Sequence, residues 1–127
     1  MEKVKAHIGK ENYKTTITTD HLAFVLDEPE DLGGMNLGPT PKEALVSALA
    51  GCVAITVKMY ANRSNWSLED VFVEVELDTE TNPGTAIFRK KVEFKGDLSE
   101  EQLKRLHVIA QKCPINKLLL NPIVVES

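Results

Sequence analysis

The chain has 127 residues, of which 43% are apolar and 27% are charged, and its net charge is -4 at neutral pH. This balance excludes an intrinsically disordered chain, and the acidic charge lacks the basic surface expected of a nucleic-acid-binding protein. The length fits one domain spanning residues 1–127 and leaves no room for a second sizeable core.

Two cysteines and three scattered histidines limit the possible metal and disulfide chemistry. Cys52 and Cys113 are too few for a cysteine-based metal site, and no two histidines have the spacing of a helical metal site. The N-terminus has no apolar segment after its first charges, and no run of about 18 apolar residues occurs. We therefore expect no signal peptide, membrane span, metal or bound cofactor, and we predict a cytoplasmic protein.

Three short strands are predicted at the start of the chain, over residues 2–9, 12–18 and 21–27. In the third, Leu22, Phe24 and Leu26 lie on one side, which is typical of a strand with one apolar face. The next segment, residues 28–40, is rich in glycine and proline and therefore predicts a loop.

A long helix is predicted over residues 41–63. Thr40 is a favourable N-cap, Pro41 suits the first helical position, and Glu43 completes a capping box with Thr40. Apolar side chains cover almost the whole circumference over residues 44–60, so the helix must be covered on nearly all sides. A chain of this length can hardly bury such a helix alone, and we therefore expect a homodimer.

The second half of the chain predicts a hairpin, a helix and a last strand. The predicted elements are strands over 70–78 and 85–95, a helix from Ser99 to near Lys112, a turn over 114–120 and a strand over 123–125. Ser99 and Gln102 form a second capping box. The element order has no βαβ alternation, so we predict an α+β fold with antiparallel sheets.

The two cysteines each have a structural and a chemical interpretation. Small residues flank Cys52 and leave steric room beside its sulfur, as a nucleophile requires, but a buried cysteine is also a common core residue. Cys113 precedes Pro114 at a helix end, where it either packs or caps a following short helix. In the chemical interpretation, one thiolate is oxidised to a sulfenic acid and the second thiol condenses with it to a disulfide.

Two cysteine motifs and a Gly-Pro loop carry a family resemblance. The first motif comprises Asp27-Glu28-Pro29, Gly33-Gly34, Gly38-Pro39-Thr40-Pro41-Lys42-Glu43-Ala44-Leu45 and Ala48-Leu49-Ala50-Gly51-Cys52, and the second is Ala110-Gln111-Lys112-Cys113-Pro114-Ile115. Together they resemble the OsmC/Ohr family of osmotically inducible and organic hydroperoxide resistance proteins, and within it the OsmC-like branch. The resemblance covers nearly all of the chain.

This resemblance implies an intertwined homodimer in which antiparallel sheets wrap around long, buried central helices. It also implies a thiol-dependent peroxidase of oxidative stress defence, with Cys52 as the peroxidatic cysteine and Cys113 as the resolving cysteine. The substrate would be an organic hydroperoxide, and a dithiol such as a lipoyl protein would be the reductant. The implied partners are thus a second copy, the hydroperoxide and the dithiol, with neither nucleic acid nor a membrane.

The supporting positions depart from the family pattern. Characterised peroxidase members carry an arginine in the first strand-turn and a glutamate at the start of the cysteine helix. Lys10 and Lys42 stand at these positions here, with Glu43 one residue later. Lysine can stabilise a thiolate as a point charge, but it lacks the planar fork of arginine. Lys10, Lys42 and Glu43 are therefore predicted as supporting residues of the site.

Two other functions stay open at this stage. The lysine replacements favour a non-catalytic OsmC-fold protein that binds a small apolar ligand at the dimer interface. His21 beside Asp20 suggests instead a cysteine-dependent acyl-transfer enzyme. Its activity on thioesters would survive Cys113→Ala and would be lost in His21→Ala.

Overall fold

The computed structural model describes residues 1–127, which form five strands, three α-helices and one 3-10 turn (Glu30–Leu32). In chain order they are β1 (Lys5–Ile8), β2 (Thr15–Thr18), β3 (Ala23–Leu26), α1 (Pro41–Arg63), β4 (Ser67–Asp78), β5 (Ile87–Asp97), α2 (Glu100–Ala110) and α3 (Pro114–Leu120). All strand pairs are antiparallel, which confirms the predicted α+β class. The chain divides into two compact units, Met1–Leu45 and Val46–Ser127.

The N-terminal unit contains a three-stranded sheet in the order β1-β2-β3. Ile17 of β2 is buried and pairs with Ala6 on one side and Phe24 on the other. The strands are shorter than predicted, with four residues each. The remaining predicted positions are irregular backbone or bends in residues 2–4, in the connections 9–14 and 19–22, and at residue 27.

A buried carboxylate organises the loop between β3 and α1. Asp27 is 2% exposed, and its oxygens accept four backbone N–H groups. The donors are Tyr13 at 3.2 Å, Glu28 at 2.8 Å, Met35 at 3.5 Å and Leu37 at 3.2 Å. Burial alone would raise the pKa of Asp27, but the four donors outweigh it and hold that pKa below its ordinary value. Asp27 thereby supplies partners for backbone groups that the irregular loop leaves unpaired.

Two glycines allow this loop to pass close to neighbouring backbone. A Cβ atom on Gly34 would clash with the carbonyl oxygen of Glu28, and one on Gly38 would clash with the carbonyl oxygen of Val25. The same loop is joined to the end of β3 by the Asp27 N–H, which donates to the Pro39 carbonyl at 3.1 Å. Any larger residue at either glycine would therefore displace the loop.

α1 begins and ends at the predicted residues. The Glu43 N–H donates to Thr40 Oγ1 at 3.1 Å, and the Thr40 N–H donates to Glu43 Oε1 at 2.9 Å. These reciprocal bonds confirm the predicted capping box and satisfy two backbone donors that the first helical turn leaves free.

Within the C-terminal unit, only one stripe of α1 is buried. Its residues are spaced four apart and are at most 1% exposed: Leu49, Val53, Val57 and Ala61. Ile55 and Met59 remain 61% and 49% exposed, so one chain does not achieve the predicted burial on nearly all sides. By length and composition alone α1 could also cross a membrane, contrary to the sequence-based expectation, although core helices of soluble proteins meet the same criteria.

A long hairpin and α2 cover the buried stripe. β4 and β5 pair from Ser67 opposite Asp97 to Asp78 opposite Ile87, with an irregularity between Leu68 and Asp70. Apolar residues of the hairpin pack against the core that the α1 stripe forms with α2: Val71, Val73, Val75, Phe88, Val92 and Phe94. The buried residues that α2 contributes to this core are Leu106, Ile109 and Ala110.

The end of the chain differs from the prediction in two places. The Ser99–Gln102 capping box is confirmed, and α2 ends at Ala110, two residues before the predicted end. The predicted turn over 114–120 is instead the helix α3, because Cys113 caps it and Pro114 suits its first position. The strand predicted over 123–125 was wrong, since these residues pair with no strand of the chain.

Asp27→Asn should destabilise the protein in a pH-dependent way, because the amide loses the charge that four N–H groups stabilise. The folded-state pKa is depressed, so the stabilisation is fully present above the unfolded pKa of about 3.9 and is lost as pH falls through the folded value. Thermal unfolding should therefore separate wild type from variant at pH 6 and less so below about pH 4. Asp20→Asn at an exposed bend is the matched control, and a difference independent of pH would contradict this account.

Candidate functional site

Cys52 lies in the middle of α1, beside the buried stripe. Its side chain is half-buried and packs against the core of the C-terminal unit. The Sγ atom lies 4.0 Å from Thr56 Oγ1, one helical turn further on. A Cβ atom built on Gly51 would meet no atom within 4 Å, so the face of α1 at Gly51 is uncovered in the single chain. The half-buried Cys52 is the more exposed of the two cysteines.

Cys113 is fully buried at the junction between α2 and α3. It is the N-cap residue of α3, and its Sγ accepts the backbone N–H of Asn116 at 3.3 Å. Pro114 fixes the chain just after it, and the preceding residues close the last turn of α2 through hydrogen bonds from Gln111 and Lys112. Capping of a short helix by Cys113, one of the structural interpretations of this residue, is thus confirmed.

The fold brings the two cysteines together. Both are free thiols, and Cys52 packs against the buried cluster that contains Cys113. Burial raises the pKa of the Cys113 thiol above its ordinary value, and the neighbouring Cys52 raises it further. The Asn116 N–H and the Lys90 charge oppose this effect without overcoming it. The resting state of Cys113 at neutral pH is therefore the protonated thiol.

A half-buried lysine next to Cys113 was missed from the sequence. Lys90 Nζ donates to Asn116 Oδ1 at 2.8 Å and to Gln111 Oε1 at 3.1 Å. The signal was present, because β5 alternates and Lys90 shares the inward face with Phe88 and Val92. A lysine at an apolar position of a strand indicates a buried polar partner.

The other predicted site residues lie in the N-terminal unit. Lys10 is exposed in the connection between β1 and β2, where it lines a cavity of about 190 Å³ together with His7 and Lys14. Lys42 is exposed in the first turn of α1, and the Glu43 carboxylate accepts the capping hydrogen bond from Thr40.

His21, the base of the acyl-transfer alternative, also lies in this unit and is exposed at the bend between β2 and β3. Its backbone N–H donates to Thr19 Oγ1 at 3.3 Å, which makes it part of a local turn. No group of three or more His, Cys, Asp or Glu side chains is arranged to hold a metal ion.

Comparison with known proteins supports the motif resemblance. A family model described as OsmC-like protein matches residues 33–127. The Bacillus subtilis protein YmaD is 28% identical over 109 residues, which are 82% of this chain and 73% of that protein. The residues matched by the family model include both Cys52 and Cys113.

Solved structures share the fold. The crystal structure of an OsmC-like protein from Mycoplasma pneumoniae has a TM-score of 0.77 and 23% identity, over 95% of this chain and 88% of that one. An organic hydroperoxide resistance protein OsmC from Legionella pneumophila has a TM-score of 0.63 and 26% identity, over 94% of this chain and 88% of that one. With the family model covering residues 33–127, these findings show that the chain belongs to the OsmC-like protein family.

Proposed function

We propose that this protein is a thiol-dependent peroxidase that reduces organic hydroperoxides, with Cys52 as the peroxidatic and Cys113 as the resolving cysteine. The observation that carries the proposal is the pair of neighbouring free thiols, one half-buried and one fully buried. A redox role for the family is also indicated by structural neighbours named as organic hydroperoxide resistance proteins.

In the first step, the Cys52 thiolate attacks the terminal oxygen of the hydroperoxide. An S–O bond forms and the O–O bond breaks, so that Cys52 becomes a sulfenic acid and the alkoxide leaves as the alcohol after taking a proton. The half-buried Cys52 sulfur can be reached by an incoming peroxide, whereas full burial denies the peroxide access to Cys113.

In the second step, the Cys113 sulfur attacks the Cys52 sulfur. The S–S bond forms, the S–O bond breaks, and the hydroxyl leaves as water with the proton that Cys113 releases. A dithiol then reduces the disulfide by thiol–disulfide exchange, which restores both thiols and leaves the reductant as its own disulfide. The overall reaction converts the hydroperoxide and dithiol into alcohol, water and the oxidised reductant.

The supporting roles of Lys10, Lys42 and Glu43 form part of the same proposal. Both lysines are exposed and form no salt bridge within the chain, so their side chains are free to approach an anionic group. Glu43 is already engaged in the capping box, and its contribution would be to fix the start of the cysteine helix.

The proposed assembly is a homodimer in the cytoplasm, where dithiol reductants are available. Apolar side chains of α1 remain exposed in the single chain, and Ile55 and Met59 line a groove of about 340 Å³ with Val71 of β4. Covering this surface with a second copy would bury the faces of α1 that the chain leaves in water.

The reduction of cumene hydroperoxide by dihydrolipoamide should depend completely on Cys52. Wild type should turn over and form a Cys52–Cys113 disulfide, whereas Cys52→Ser should fall to the uncatalysed background because no thiolate remains to attack the peroxide. Cys113→Ser is the matched control, since it should consume one equivalent of peroxide and then stop with dithiol as reductant. Free thiols in wild type after excess peroxide would contradict the proposal and favour the apolar-ligand alternative.

Ile55→Glu should dissociate the homodimer without unfolding the chain, because residue 55 is exposed in the single chain but would be buried by the partner. Sedimentation should give a dimer for wild type and a monomer with unchanged helical circular dichroism for the variant. Val108→Glu, at a 45% exposed position of α2, is the control and should stay dimeric. A monomeric wild type would rule out the assembly.

A further inference from the structure

Lys90 occupies an inward position of β5 that the pattern of the strand otherwise gives to apolar residues. Its neighbours on the same face, Phe88 and Val92, pack against the core. A lysine amine loses hydration there, so the arrangement requires strong compensating partners. The amine finds two of them in Asn116 Oδ1 at 2.8 Å and Gln111 Oε1 at 3.1 Å.

These two partners stand on either side of Cys113 in the chain. The Asn116 Nδ2 group donates to the Gln111 carbonyl at 3.2 Å, which closes the turn around the cysteine. The Asn116 backbone N–H then donates to Cys113 Sγ at 3.3 Å. Asn116 therefore connects Lys90 to the sulfur. Its side chain accepts a hydrogen bond from Lys90, and its backbone N–H donates to Cys113 Sγ.

We propose that Lys90 is a positioning residue for Cys113, which fixes the Gln111–Asn116 turn around the thiol and favours its thiolate in the disulfide-forming step. The proposal rests on the proposed peroxidase cycle for its role in turnover. The structural part, that Lys90 controls the ionisation of Cys113, is independent of any peroxide.

The charges around Cys113 explain why this lysine matters after the first oxidation. The titratable groups that act on the thiol are Cys52 of α1 and Lys90 of β5. The α2–α3 junction contributes the neutral Gln111 and Asn116, while its own charged residue, Lys112, is exposed to solvent. Burial and Cys52 both raise the pKa of Cys113. Once Cys52 has become a sulfenic acid, the thiol that raises the pKa of Cys113 is gone. The positive charge of Lys90 then stabilises the attacking thiolate and offsets the desolvation that burial imposes on it.

The first test titrates Cys113 in a Cys52→Ser background, where it is the single remaining cysteine. Thiolate ultraviolet absorbance, corrected with a Cys52→Ser/Cys113→Ser chain, should give a pKa about 1 higher in Lys90→Met and near the parent value in Lys90→Arg. Lys91→Met, at an exposed position on the opposite face of β5, is the control and should leave it unchanged. Equal pKa values in the Lys90→Met and Lys90→Arg chains would overturn the proposal, because a cation at position 90 would then have no effect on the ionisation of Cys113.

The second test measures turnover in the chain with both cysteines. Lys90→Met should slow disulfide formation roughly tenfold at neutral pH, since the thiolate fraction falls tenfold for each pKa step of 1, and the pH profile of this step should move upward. Sulfenic acid formation on Cys52 should keep its rate. Thiols inert to peroxide would refute the peroxidase, whereas a Cys113 titration independent of Lys90 would refute the positioning role whatever the peroxide result.

Discussion

Packing of one apolar stripe of α1 against the hairpin and α2 is the interaction on which the C-terminal unit depends. Leu49, Val53 and Val57 are completely or almost completely buried in it, and burying each such side chain stabilises the fold by about 1.5–3 kcal/mol. The helix advances about 100° per residue, so Cys52, three residues after Leu49 and one before Val53, lies on the flank of the stripe. This position on the helix explains why Cys52 is half-buried. The same buried cluster contains α2 and Cys113, so Cys113 packs near Cys52.

The sequence predicted the parts of this fold that local chemistry determines. Both capping boxes were read correctly because Thr40 with Glu43, and Ser99 with Gln102, have a fixed three-residue spacing that the helix start requires. The hairpin was predicted from alternation, although the structure extends it to Ser67 and Asp97. The strand over 123–125 could not be judged in the same way, because a strand needs a partner and a partner is a tertiary property.

The two cysteines of the candidate site were predicted from the sequence, whereas the charged and polar groups around them were not. The motifs around Cys52 and Cys113 identified both residues, and the family membership is now shown. Lys90 was missed because the inward face of β5 was predicted from its apolar residues, and Lys90 is the one charged residue in the same alternation. Its partners are Gln111 and Asn116, and their positions depend on how α2 ends and α3 begins. No periodicity in the sequence encodes that junction.

The unequal burial of the two thiols gives the proposed cycle an order. A fully buried, protonated Cys113 is a poor nucleophile and is shielded from peroxide, so only Cys52 can meet the first oxidant. The sulfenic acid so formed has a thiol already packed beside it, which favours disulfide formation over further oxidation of Cys52. Burial that protects the resolving sulfur also opposes its ionisation, and a half-buried cation close to the sulfur reconciles these two requirements. A lysine at the inward position 90, costly by itself, becomes understandable as the counterpart of a thiol that must stay protonated until Cys52 has reacted.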